Sequence, residues 1–118
     1  KRVEMIEEQL DGFLVGLANA LKAIPSISSA FVSVQAILRA PLRDEVELAI
    51  KEMRVGSTLE QALLNMAGRV GSRQLDSALS AIVIGRQIGG NLPTILETTA
   101  GTLREMARLE GVVKKLNF

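Results

Sequence analysis

Apolar residues recur along the first segment at Val3, Ile6, Leu10, Phe13, Leu14, Leu17 and Leu21, mostly in steps of three and four. One buried face of a helix has this spacing, so a helix is predicted over about residues 3–23. Glu4, Glu7, Glu8 and Asp11 stand towards its start and Lys22 at its end, the charge order that complements a helix macrodipole. Pro25 cannot continue the ladder, since it lacks an amide hydrogen. A second helix of about 12 residues is predicted after Ser26, with Ile27, Ala30, Phe31, Val34, Ile37 and Leu38 inward and Pro41 marking its end. Pro41 also suits the first turn of a third helix. That helix runs through Asp44 and Glu45 to about Arg54, buries Leu42, Val46, Ala49, Ile50 and Met53, and is closed by Gly56.

Ser57 followed by Glu60 has the spacing of a capping box, in which each side chain satisfies an orphan amide of the other. A fourth helix is predicted from there, with Leu59, Ala62, Leu63, Met66 and Val70 as its stripe and Gly71 as its stop. Ser72 caps a fifth helix carrying Leu75, Leu79, Ile82, Val83 and Ile88, which Gly89 and Gly90 end. Asn91 caps the last helix and Pro93 sits in its first turn, with Leu92, Leu96, Thr99, Leu103, Met106 and Val113 recurring along it. The pattern predicts an all-α fold without strands, a compact antiparallel six-helix bundle forming one domain over residues 1–118.

A weak internal echo offers an alternative. Ser26-Ile27 with Ala30-Phe31, Thr58-Leu59 with Ala62-Leu63, and Asn91-Leu92 with Ile95-Leu96 share one template, and their starts lie at 26, 58 and 91. That period is close to the length of tetratricopeptide helix pairs, which would make the chain a freestanding helical-repeat scaffold for peptides. Any capped amphipathic helix also fits the template, and the aromatic landmarks of such repeats are missing, so the closed bundle is preferred.

Composition narrows the chemistry. With 47% hydrophobic and 23% charged residues in 118, the chain can bury a core, and with only 3% aromatics that core must be aliphatic. There is neither His nor Cys, which removes His-based triads, thiol nucleophiles, disulfides and the usual zinc and iron–sulfur sites. No metal or cofactor site is expected. A net charge of +1 without interleaved aromatics leaves no nucleic-acid footprint. The uncharged stretch around Phe13 to Leu21 is far short of the roughly 20 residues that cross a bilayer. Opening at Lys1, without Met or a signal segment, the chain reads as a fragment of a longer protein.

Few residues suggest a reaction. The turn Gly89-Gly90-Asn91-Leu92 could offer amides to a phosphorylated ligand, but no Lys-Ser/Thr pair follows and no strand precedes, so it reads as a helix stop and start. Glu45 with Glu52, and Glu97 with Glu105, are candidate carboxylate pairs; each has Arg or Lys nearby in sequence, which favours a solvated charged face over acid–base work. Serines without His or a nucleophile elbow are caps and packing residues. Arg104, Arg108, Lys114 and Lys115 concentrate positive charge towards the C-terminus, which either helix-dipole compensation or a cytoplasmic position beside a membrane explains.

The succession Gly56-Ser57-Thr58-Leu59-Glu60-Gln61-Ala62-Leu63 is followed by Ser72 to Ile88 and then by Gly89-Gly90-Asn91-Leu92 with Ile95-Leu96-Glu97. Thr102-Leu103-Arg104-Glu105 and Arg108-Leu109-Glu110-Gly111 complete it. In this order and spacing the chain, from about 9 to 114, resembles the type II secretion system F domain, and within it the tight-adherence (Flp, type IVc) pilus platform branch. Two places depart from that pattern. Ile24-Pro25 stands where the family usually has a Gly, predicting a differently shaped first corner, and the chain ends Lys114-Lys115-Leu116-Asn117-Phe118 in place of a Thr-Ala-Glu-Gly-like stretch.

The resemblance implies a cytoplasmic six-helix bundle next to transmembrane helices of the bacterial inner membrane, in a full-length protein that is membrane-embedded. It implies a non-enzymatic platform that passes the conformational work of a secretion or pilus ATPase to pilin. The implied partners are that hexameric ATPase, a TadC-like inner-membrane protein, pilin and other copies of the chain. It brings no catalytic residues. Gly56, Gly89, Gly90 and Asn91 are assigned to structural turns, and Arg104, Glu105 and Arg108 to partner contact.

Overall fold

The computed structural model describes residues 1–116; Asn117 and Phe118, the last two residues of the divergent ending, lie outside the described residues. The helices are α1 (Arg2–Ala23), α2 (Ile27–Gln35), α3 (Leu42–Arg54), α4 (Leu59–Val70), α5 (Arg73–Ile88) and α6 (Leu92–Leu116), with no strand among the described residues. Cross-helix pairs set their directions. Lys22 meets Glu97 at 2.9 Å and Asp11 meets Arg104 at 3.1 Å, so α1 and α6 run antiparallel. Glu45 with Arg69 and Glu52 with Asn65 do the same for α3 and α4, and for α4 and α5 the short Gly71-Ser72 connection at one end with the Glu60–Arg86 pair at the other does so. The first helix packs along the last as well as against α2, α3 and α5, so the chain closes on itself. That closure overturns the open helical-repeat alternative, in which each unit touches only its neighbours.

α1 is the central element. Its Ile6, Leu10, Phe13, Leu14 and Leu17 are fully or almost fully buried, and they meet Phe31 and Val34 of α2, Leu42 and Val46 of α3, Leu75 and Ile82 of α5 and Leu96 and Ala100 of α6 in one core. Phe13 and Phe31 stack tilted, with ring centroids 5.9 Å apart, inside otherwise aliphatic packing. Two helical glycines set close approaches. A Cβ on Gly16 would lie 2.7 Å from Ile37 Cδ1, and one on Gly85 would lie 2.9 Å from Leu92 Cδ1 and 3.0 Å from Ile95 Cδ1. The α1–α2 and α5–α6 crossings are thus drawn together where a side chain is missing.

The caps follow the sequence at most junctions. Ser26, Ser72 and Asn91 accept hydrogen bonds from the amides of Ser29, Leu75 and Thr94. Gly71 and Gly89 end α4 and α5 in the left-handed region, at φ 70° and 76°. Ile24 ends α1 in extended backbone, so this corner turns without a glycine. Pro41 is buried just before α3, whose start has no capping side chain of its own. Gln9 of α1 supplies one: its Oε1 accepts from the orphan Leu42 amide at 3.1 Å while its Nε2 donates to the Arg39 carbonyl at 2.8 Å.

Three expectations need correction. α2 has 9 residues rather than about 12. Its end tightens into i→i−3 bonds from the amides of Ala36, Ile37 and Leu38, because the residue before Pro41 is steered out of the helical region. The cap of α4 is Thr58, whose Oγ1 accepts from the Gln61 amide at 3.1 Å, so the Ser57–Glu60 box does not form. Glu60 instead accepts from Arg86 of α5 at 2.7 Å. Ile37, Ile88, Met106 and Val113 are exposed rather than interior. Replacing Thr58 by Ala is predicted to lower unfolding free energy by about 1 kcal/mol in urea titrations, whereas Ser57→Ala should change it by less than about 0.5 kcal/mol.

Candidate functional site

α6 divides into two halves. Leu96, Ala100 and Leu103 bury its first part against α1 and α5, and from Arg104 to Leu116 every residue is exposed. From Glu105 to Leu116, twelve residues of helix, about 18 Å, form no hydrogen bond or ion pair to another helix among the described residues. Continuing the core face beyond Leu103 would require apolar residues near positions 107, 110 and 114, which are occupied by Ala107, Glu110 and Lys114. The apolar residues move round the helix instead. Met106, Leu109, Val113 and Leu116 form a new stripe, turned by roughly a third of a revolution from the core face.

The three residues assigned to partner contact have different roles here. Arg104 lies at the boundary and reaches α1, its Nη1 standing 3.1 Å from Asp11 Oδ1 and donating to Oδ2 at 3.3 Å. Asp11 Oδ1 is shut off from solvent and accepts no hydrogen bond among the described residues, so the Arg104 charge is its neutraliser. Glu105 and Arg108 are fully on the free half and bond to each other, Arg108 Nε donating to Glu105 Oε1 at 3.1 Å. That hydrogen bond raises the Arg108 pKa above its ordinary value. Arg104 thus seats α6, and the Glu105–Arg108 pair is presented outward.

The Gly-rich turn holds one helix stop and one helix start. Gly89 donates its amide to the Gly85 carbonyl as the stop of α5, and the Thr94 amide is taken by Asn91 Oδ1. Gly56 ends the α3 corner at φ 111°. Gly90 has no left-handed φ, and a Cβ there would have no neighbour closer than 3.8 Å, so neither demand accounts for this glycine.

Two features escaped the sequence reading. One is Glu45, read as part of a solvated face and in fact 3% exposed. Its Oε1 accepts from Arg69 Nε at 2.8 Å and its Oε2 from Arg2 Nη2 at 2.7 Å, while Arg69 also reaches Glu52 at 3.3 Å. Burial alone would raise the Glu45 pKa; the hydrogen bonds and charges of Arg69 and Arg2 outweigh it and hold the carboxylate below its ordinary value. A carboxylate locked between two guanidinium groups is a poor general acid or base. It joins the start of α1 to α3 and α4.

The other is a groove of about 770 Å³ between α4 and α5, lined by Leu63, Leu64, Ala67, Leu79, Val83 and Ile84 with Glu60 and Asp76 among its polar residues. Leu64 and Ile84 are 72% and 54% exposed. Both fall outside the periodic stripe of their own helices, which was the signal available in the sequence. No cluster of metal-ligating side chains exists among the described residues, and none of their helices is long and apolar enough to cross a membrane.

The described residues form a closed all-helical body whose final helix is packed in its first half and exposed in its second. The family model for type II secretion system (T2SS) protein F matches residues 13–116, and the chain belongs to that family. Searches of curated proteins and of solved structures found no match. The family comprises non-enzymatic platform components of secretion and pilus-assembly machinery, associated with the inner membrane.

The Glu45 cluster makes a pH prediction. Because the folded-state pKa lies below the unfolded one, its contribution is complete above the ordinary Glu value and is lost as pH falls through the lowered folded value. Glu45→Gln should reduce stability at pH 7 by about 1–3 kcal/mol and flatten the acid limb of the stability–pH curve measured by urea unfolding.

Proposed function

We propose that this chain is the cytoplasmic domain of a TadB-like platform protein of a tight-adherence pilus, part of a longer protein anchored in the bacterial inner membrane. It couples a hexameric secretion ATPase to pilin extrusion, alongside a TadC-like sister protein and further copies of itself. Membership of the T2SS protein F family over residues 13–116 carries this reading. The order and spacing of Gly89-Gly90-Asn91-Leu92, Ile95-Leu96-Glu97 and Thr102-Leu103-Arg104-Glu105 support the tight-adherence branch.

Coupling needs a rigid body with a surface left over after folding. The closed core supplies rigidity, since a close-packed interior transmits displacement instead of absorbing it. The outward half of α6 supplies the surface, with Glu105 and Arg108 as its charged contact and Arg104 as the residue that seats it on α1. Charges at the rim of such an interface set partner choice and encounter rate more than affinity.

A photo-crosslinking residue in place of Arg108, in the full-length protein within the assembled machinery, is expected to yield an adduct with the ATPase. Glu105→Arg with Arg108→Glu should reduce pilus formation by about tenfold at unchanged protein level. Absence of the adduct together with normal piliation would overturn the assignment.

A further inference from the structure

The chain leaves two apolar surfaces open, one concave and one convex. The concave one is the α4–α5 groove, where Leu64 and Ile84 are exposed above Leu63, Leu79 and Val83. The convex one is the stripe Met106, Leu109, Val113 and Leu116, at 45%, 50%, 53% and 72% exposure. From these we propose that the two are halves of one contact between copies of the chain, with the free half of α6 of one copy lying as a helix in the α4–α5 groove of another. The inference deepens the self-association in the reading above.

Shape, length and charge agree. The stripe steps by three, four and three, the anchor spacing of an amphipathic helix seated in an apolar groove. Met106 to Leu116 covers about 15 Å, and the groove walls, Glu60 to Gly68 on α4 and Asp76 to Ile84 on α5, each cover about 12 Å. Ala67, Gly68 and Ser80 line the groove with small side chains, leaving room for a helix to approach. On the free half of α6 the Glu105–Arg108 pair is internally neutralised, and Glu110, Lys114 and Lys115 make no ion pair among the described residues, leaving a surplus of one positive charge. At the groove Glu60 is neutralised by Arg86, and Asp76 makes no ion pair among the described residues, leaving one negative charge. Within one copy no described residue of α6 lines the α4–α5 groove, so the contact is intermolecular and head-to-tail in type.

The 118 residues contain no cysteine, which makes single-cysteine pairs unambiguous. Leu64→Cys and Val113→Cys are both at exposed positions and should leave the core intact, checked by circular dichroism. Mixed under mild oxidation, the two variants are expected to form a heterodisulfide well in excess of either homodimer. In sedimentation experiments Leu64→Glu should weaken association by about tenfold or more. Asp76→Lys and the double change Lys114→Glu with Lys115→Glu should each weaken association, and their mixture should recover part of it. Sole tail-to-tail Val113 disulfides, a monomer at all concentrations, or tail residues that crosslink only to the ATPase or insert only into anionic lipid vesicles would overturn the proposal. The ATPase adduct at Arg108 is scored independently, so either reading can fail without the other.

Discussion

Burial of one face of α1 is the constraint on which the remainder of this fold depends. Ile6, Leu10, Phe13, Leu14 and Leu17 touch the core contributions of α2, α3, α5 and α6, so none of these four helices can be removed without exposing part of this stripe. Each such aliphatic or aromatic side chain contributes about 1.5–3 kcal/mol on burial, and α6, with only Leu96, Ala100 and Leu103 buried, relies on α1 for most of its attachment. The stripes of α2, α3, α5 and α6 find a partner in α1, and that of α4 is covered by α3 and α5.

Polar groups of α1 then choose among the ways such stripes could pack. Gln9 holds the α2–α3 corner, Glu7 accepts from the Ser72 hydroxyl at the start of α5, Arg2 meets Glu45 of α3, and Asp11 and Lys22 pair with α6. These bonds are spread along one helix and reach several different elements. A shift of α1 by a turn would break all of them together, leaving Glu45 buried without its Arg2 partner. Apolar burial supplies the drive to collapse, and this set of directional bonds selects one arrangement.

Much of this was legible in the sequence because helix stripes, glycine stops and capping residues are local signals. Leu10, Phe13 and Leu17, or Ser72 with Leu75, could be placed correctly from spacing alone. Misreadings arose where a distant partner decided the outcome. Glu45 resembles any surface glutamate until Arg2 and Arg69 arrive from other helices, and Gln9 gives no hint that it caps α3. Thr58 and Ser57 are chemically interchangeable as caps, so only the backbone could decide between them. Met106 and Val113 have helical spacing but belong to a different face from Leu103, a rotation that a list of apolar positions conceals. The tight-adherence resemblance came from the order of short motifs; of the three residues assigned to partner contact, Arg104 pairs with Asp11 of α1, and Glu105 and Arg108 pair with each other.

The antiparallel pairing of the first and last helices has a mechanical consequence. Since Asp11 faces Arg104 and Lys22 faces Glu97, the start of α1 and the end of α6 lie at the same end of the body. Tension applied between Arg2 and Leu116 would therefore peel the two helices apart row by row, loading Asp11–Arg104 before Lys22–Glu97. A body wired in this way yields one row at a time when its two chain ends are drawn apart.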